Sequence, residues 1–98
     1  MKNLNTTWVL LHSIFFYPGK KISFYCKELD KNMNSISPRV HFLLEVDLVR
    51  AVAIDGRSKA LFLTDKGADV AEALNLFFQK LSLVDNDLLL MNDERGSQ

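Results

Sequence analysis

The residues of this sequence with the widest chemical scope are His12, His41, Cys26 and the closely spaced acids Glu28 and Asp30. Imidazole and thiolate bind transition metals, a thiolate of lowered pKa senses oxidants, and paired carboxylates move protons. The spacing supports none of these roles. Neither histidine has a cysteine or carboxylate at ligand spacing, so both read as structural. Cys26, beside Phe24 and Tyr25, follows the burial habit of cysteine and reads as a core residue. Glu28 and Asp30 read as solvated acids. No Ser/His/Asp or Cys/His set has a credible third member, and the 4 glycines form no phosphate-cradling loop. The pattern predicts no enzyme, no metal site and no cofactor.

The other groups able to do chemistry are cations, whose work is to hold anions. The 98 residues carry 12 basic and 12 acidic side chains, so the net charge is zero. The charges are unevenly spread. Between residues 20 and 66 stand Lys20, Lys21, Lys27, Lys31, Arg39, Arg50, Arg57, Lys59 and Lys66, against Glu28, Asp30, Glu45, Asp47, Asp55 and Asp65. Beyond them Lys80 and Arg95 face Asp69, Glu72, Asp85, Asp87, Asp93 and Glu94. A basic middle and an acidic end describe a molecule with one anion-facing side.

The elements that must position these cations follow from periodicity. Leu4, Trp8, Leu11 and Phe15 fall on one face of a helix over 5–17, capped by Thr6 or Thr7. Val9, Leu10, Ile14 and Phe16 make that helix apolar almost all round, so it must be covered on more than one side. Pro18-Gly19 stops it. Lys20 to Ser23 is a stub of strand. Ser23 caps a second helix from Phe24 to about Lys31, and 32–34 reads as a turn. Ser37-Pro38 then starts a third helix, serine as cap and proline at the first helical position, running to about Val46. Two strands, 49–54 and 59–64, flank Asp55-Gly56-Arg57-Ser58, a strong hairpin signal. Thr64 caps a fourth helix over 65–83, striped by Val70, Leu74, Phe77, Leu81 and Val84. Residues 1–84 form one domain and 85–98 an acidic tail that carries Leu88 to Met91.

Helix, stub, helix, turn, helix, hairpin, long helix is an α+β order. The segments Ser35-Ile36-Ser37-Pro38-Arg39-Val40, Leu44 to Val49, and Asp55 to Lys59 with Leu63-Thr64-Asp65-Lys66-Gly67 carry a further signal. Over residues 6 to about 82 the chain resembles the winged helix-turn-helix family of transcription regulators, and the dimeric MarR-like and PadR-like regulators most of all. Asp47 stands where that family usually has glycine, and Leu44 to Leu48 is one residue shorter than its common spacing. The resemblance implies a three-helix core, a two-stranded wing, a long C-terminal helix, and a third helix that enters the major groove of duplex DNA. On this chain it implies DNA contacts from Ser35, Ser37, Arg39 and His41 on the third helix. Arg57 and Lys59 would contact DNA from the wing, and Lys27 and Lys31, with Lys20 and Lys21, would flank it. Serines and helix N–H groups suit phosphates, and Arg39 suits a guanine edge.

The first and last helices are apolar beyond what one small core needs. The expectation is a homodimer through Trp8, Leu11, Phe15, Phe77, Phe78 and Leu81, reading two half-sites about one helical turn apart. A small-molecule effector between those helices is left open. Zero net charge, Phe42 and Glu45 support an alternative, a winged-helix protein-interaction module that binds no DNA. No apolar run approaches the ~18 residues of a membrane span. Lys2 is the only basic residue before the run from Trp8 to Phe16, with no small-residue cleavage site after it, which argues against a secretory leader. With a single cysteine, the reading is a soluble cytoplasmic protein.

Overall fold

A computed structural model describes the backbone of residues 5–96 and the side chains of 5–82. The order is α1 (Thr6–Phe16), α2 (Ile22–Glu28), α3 (Met33–Glu45), β1 (Val49–Ala53), β2 (Lys59–Leu63) and α4 (Asp65–Gly96). The strands pair antiparallel, from Val49 opposite Leu63 to Ala53 opposite Lys59. This is the α+β winged-helix arrangement, a three-helix core followed by a two-stranded wing and a long helix.

The core gathers Leu10, Leu11 and Ile14 of α1, Tyr25 of α2, and Ile36, Val40 and Leu43 of α3 around Leu48, Val49, Leu61 and Ala71. α1 is the hub, packing on α2, α3, α4 and β2. Its apolar circumference is therefore covered largely within the chain, so the need for outside cover inferred from the sequence is smaller than expected. Its cap is Asn5, whose side chain accepts from Thr7 N–H at 2.8 Å, and not Thr6 or Thr7.

α3 begins at Met33, not at Pro38 with Ser37 as cap. The Asn32 carboxamide accepts from Ser35 N–H at 2.9 Å, so a capping residue stands earlier than the Ser-Pro signal. Packing decides between the two starts. Only a helix already formed at Ile36 puts that residue on the same face as Val40 and Leu43, and it is fully buried there. Pro38 then lies inside the helix. α2 likewise starts earlier than expected, at Ile22 after Lys21, and Ser23 is not its cap. The strand stub shrinks to one bridge, Lys20 opposite Leu61. The turn before it needs Gly19, whose φ is +82° and whose added Cβ would lie 3.1 Å from the Phe62 ring.

The turns that end α2 and α3 each place an aspartate in the left-handed region, Asp30 at φ 55° and Asp47 at φ 64°. In each, the residue after the aspartate donates back five positions, Lys31 N–H to Cys26 at 2.9 Å and Leu48 N–H to Leu43 at 3.0 Å. That is the Schellman closure, usually made with glycine. Aspartate tolerates this backbone better than most residues, so Asp47 fills the glycine position without breaking the turn. α4 runs for 32 residues to Gly96, past the Leu83 expected for its end. The side chains of Leu88 to Met91 lie outside the described residues.

Candidate nucleic-acid interface

The face of α3 opposite its core contacts carries Asn34, Pro38, His41 and Glu45, all exposed. Beside it, between α3, the start of α2 and the hairpin, lies a cleft of about 420 Å³. Val40, Leu44, Ala51 and Leu61 contribute its apolar lining. Ser37 and His41 line it from α3, Lys21 and Ser23 from the approach to α2, and Arg57, Ser58 and Lys59 from the hairpin. No carboxylate lines it. The structure therefore brings together five of the expected DNA contacts, Lys21, Ser37, His41, Arg57 and Lys59.

The hairpin tip is built differently from a two-residue Asp-Gly turn. Pairing ends at Ala53 and Lys59, and Gly56 does not adopt a positive φ. Asp55 Oδ1 instead accepts from Arg57 N–H at 2.9 Å and Ser58 N–H at 2.8 Å. These bonds, with nearby Lys21, hold the Asp55 carboxyl below the usual carboxylate range. Its charge is spent on fixing the loop that presents Arg57.

Lys27 and Lys31 line a second, open depression of about 480 Å³ with Ser23, Cys26, Asp30 and Asn32. Ser23 belongs to both hollows, so the basic surface continues from the hairpin along α2. Cys26 is half-buried and packs against the core.

Arg39 departs from the expectation of an outward-reaching guanidinium. It is half-buried, and its Nη1 donates to the Ser35 carbonyl at 2.8 Å. Its Nε is buried without a partner. Arg39 shares the flank of α3 that carries Ser35 and Phe42, next to Trp8 of α1, and the earlier start of α3 places the Ser35 carbonyl one helical turn before it, within reach of the guanidinium. Ser35 is half-buried there, one turn before Arg39. Asn34, Pro38 and Ser23 of this surface carried no expectation of DNA contact. Asn34 read as part of a turn and Ser23 as a cap, and recognising Asn32 as the α3 cap would have found Asn34.

A separate aromatic surface joins α1 to α4. His12 Nε2 lies 3.0 Å from Asn75 Oδ1, and its ring meets Phe16 and Phe78 edge-on at 4.7 and 4.6 Å between centroids. Phe77 adjoins Phe78 at 5.8 Å. The outer members, Phe16 and Phe77, are 57% and 49% exposed. Phe15, Phe78 and Leu81 are half-buried. Leu11, expected on a partner-facing surface, is fully buried in the chain's own core because α1 is surrounded there. Trp8 leans toward α3, its ring 6.3 Å from that of Phe42. Among the described residues no three metal-ligating side chains come together. No helix there is long and apolar enough to cross a membrane.

No family model matches the sequence, and no curated protein matches it. Solved structures do. The PcaV transcriptional regulator from Streptomyces coelicolor aligns with a TM-score of 0.75 at 20% identity, over 96% of this chain and 76% of that one. The MepR–DNA complex of Staphylococcus aureus aligns with a TM-score of 0.79 at 20% identity, over 98% and 74%. FabT of Streptococcus pneumoniae in complex with DNA gives 0.74 at 19% identity, over 95% and 71%. These are MarR-family winged-helix regulators, and at such identities the likeness establishes the fold.

Proposed function

We propose that this chain is a sequence-specific duplex-DNA-binding transcription regulator acting as a homodimer. α3 enters the major groove, and the wing follows the adjacent backbone or minor groove. The observation that carries the reading is the cleft between α3 and the wing. Lys21, Arg57 and Lys59 line it with hydroxyls and an imidazole, no carboxylate is part of the lining, and the exposed ridge of α3 lies beside it. Cations held at a groove-sized edge take phosphates, which supply affinity and register. Two fold neighbours described as bound to DNA support the same partner. Lys27 and Lys31 extend the phosphate track. Residues 1–84 form the DNA-binding body, and residues 85–98 are an acidic stretch kept away from the duplex. No cofactor enters this reading.

A second reading, a protein-docking winged helix, is favoured by Phe42, which is 43% exposed next to Trp8, and by Glu45 on the same helix. Equilibrium binding to duplex DNA across a salt series separates the two. The regulator loses affinity with a log–log slope near −0.9 per phosphate contacted. Replacing Arg57 and Lys59 together by alanine should flatten that slope by about one for each phosphate no longer held, with thermal unfolding unchanged. A salt-independent or absent response favours the docking module.

A further inference from the structure

Resting on the DNA-binding reading above, we infer that bases are read by Asn34 and Pro38 rather than by an arginine, Asn34 on an adenine edge and Pro38 on a thymine methyl. The turn of a groove-inserted helix nearest its N-terminus is the part that reaches base edges. In α3 that turn presents Asn34, with Pro38 one turn further along the same ridge, and both are exposed. Side chains four apart on a helix stand about 5–6 Å from each other, enough to address neighbouring base pairs.

The chemistry at these positions is narrow. A carboxamide offers one acceptor and two donors, the pattern that pairs with adenine N6 and N7. The proline ring offers only apolar surface, and in the major groove the apolar mark is the C5-methyl of thymine. Arg39, the one guanidinium on α3, is turned away. Its Nη1 is engaged with the Ser35 carbonyl and its Nε is buried, so reaching a guanine would break the bond to Ser35.

The same bonds hold Asn34 in place. Pro38 has no N–H to give the Asn34 carbonyl, which weakens the first turn. Asn32 Oδ1 grips Ser35 N–H from one side at 2.9 Å, and Arg39 grips the Ser35 carbonyl from the other at 2.8 Å. Arg39 is thus a positioning residue for the reading turn. The expected half-site has an A·T pair beneath that turn and no required guanine.

Selection of bound duplexes from a random pool, run with the full chain, tests this. Wild type should fix an A·T pair in each half-site. Asn34→Ala should lose about ten- to hundredfold of the discrimination at that pair while its salt slope stays unchanged. Asn34→Asp should move the preference there from adenine to cytosine, whose N4 amine donates to a carboxylate. A purely structural role for Asn34 would not move base preference in that way. Placing 7-deazaadenine at the selected position should weaken wild type and leave Asn34→Ala unaffected. Salt-dependent binding with a guanine fixed beneath α3, or with a preference unaltered in both Asn34 variants, overturns this inference and leaves the DNA-binding reading standing. No duplex binding at low salt overturns both.

Discussion

Tyr25 is fully buried, yet its hydroxyl is in use. It donates to the Tyr17 carbonyl and accepts from Lys20 N–H at 3.3 Å. Those bonds fasten the turn that seats Gly19 and Lys20 against Leu61, where Gly19 N–H donates to the Leu61 carbonyl at 2.7 Å. The next residue, Lys21, lines the cleft, so one buried phenol helps aim a cation. Burial pushes the phenol above the ordinary tyrosine range, partly offset by the Lys20 bond. A raised folded value means this contribution to stability is complete below the unfolded tyrosine range. It is lost as pH rises through the folded value. Tyr25→Phe leaves the Tyr17 carbonyl without this donor. It should cost about 1–3 kcal/mol in urea titration and remove this phenol's share of the alkaline loss of stability. An unchanged midpoint for the variant would dismiss the latch.

At the level of elements, the junction of α3, the wing and α4 decides where the wing stands. Thr64 joins all three. Its N–H donates to the Leu48 carbonyl at 3.1 Å, and its hydroxyl donates to the Asp47 carbonyl at 2.7 Å and accepts from Gly67 N–H at 2.9 Å. Lys66 Nζ adds a bond to the Val46 carbonyl at 3.1 Å. Gly67 is required by space, since a Cβ there would lie 1.8 Å from the Leu48 carbonyl oxygen. Helix propensity alone favours alanine over glycine by about 1 kcal/mol. The clash is with backbone that also receives Thr64, so it reverses the sign. Gly67→Ala should destabilise by about 3 kcal/mol or more and lower the melting temperature. A melting temperature that held or rose would refute the close-approach account. This junction was legible in Leu63-Thr64-Asp65-Lys66-Gly67, because cap, hydroxyl and glycine act within a few residues of one another. The hairpin was legible for the same reason. The start of α3 was not, because Ser37-Pro38 is the stronger local signal and only the burial of Ile36 outweighs it. Arg39's inward turn escaped notice because it depends on that start. The meeting of Lys21 with Arg57 escaped because it spans the fold.

The molecule as a whole is larger in surface than its mass suggests. Its accessible area is 6782 Å² at 11.2 kDa, where a compact monomer would expose about 5,700 Å². Its radius of gyration is 16.1 Å against about 12.6 Å for a compact chain of this length. α4 accounts for much of the difference, since 32 helical residues extend about 48 Å. Leu76 and Phe77 are half-exposed on it, next to the aromatic group that reaches Phe16. In the sequence, Leu74, Phe77, Leu81, Val84, Leu88 and Met91 alternate steps of three and four, the spacing of a helix that pairs along its length. Each partner in a stable interface covers about 800 Å², comparable with the excess area. A second copy laid along α1 and α4 would cover these groups and set two α3 helices against successive turns of DNA. Sedimentation at tens of micromolar should then give twice the chain mass for wild type. Phe77→Asp should give a single chain with its helical circular dichroism intact, and with weaker binding to a two-half-site duplex but little change on a single half-site. Phe77 lies outside the buried core, so the variant should stay folded, and a folded, monomeric wild type at that concentration would mean that the aromatic surface serves something other than self-association.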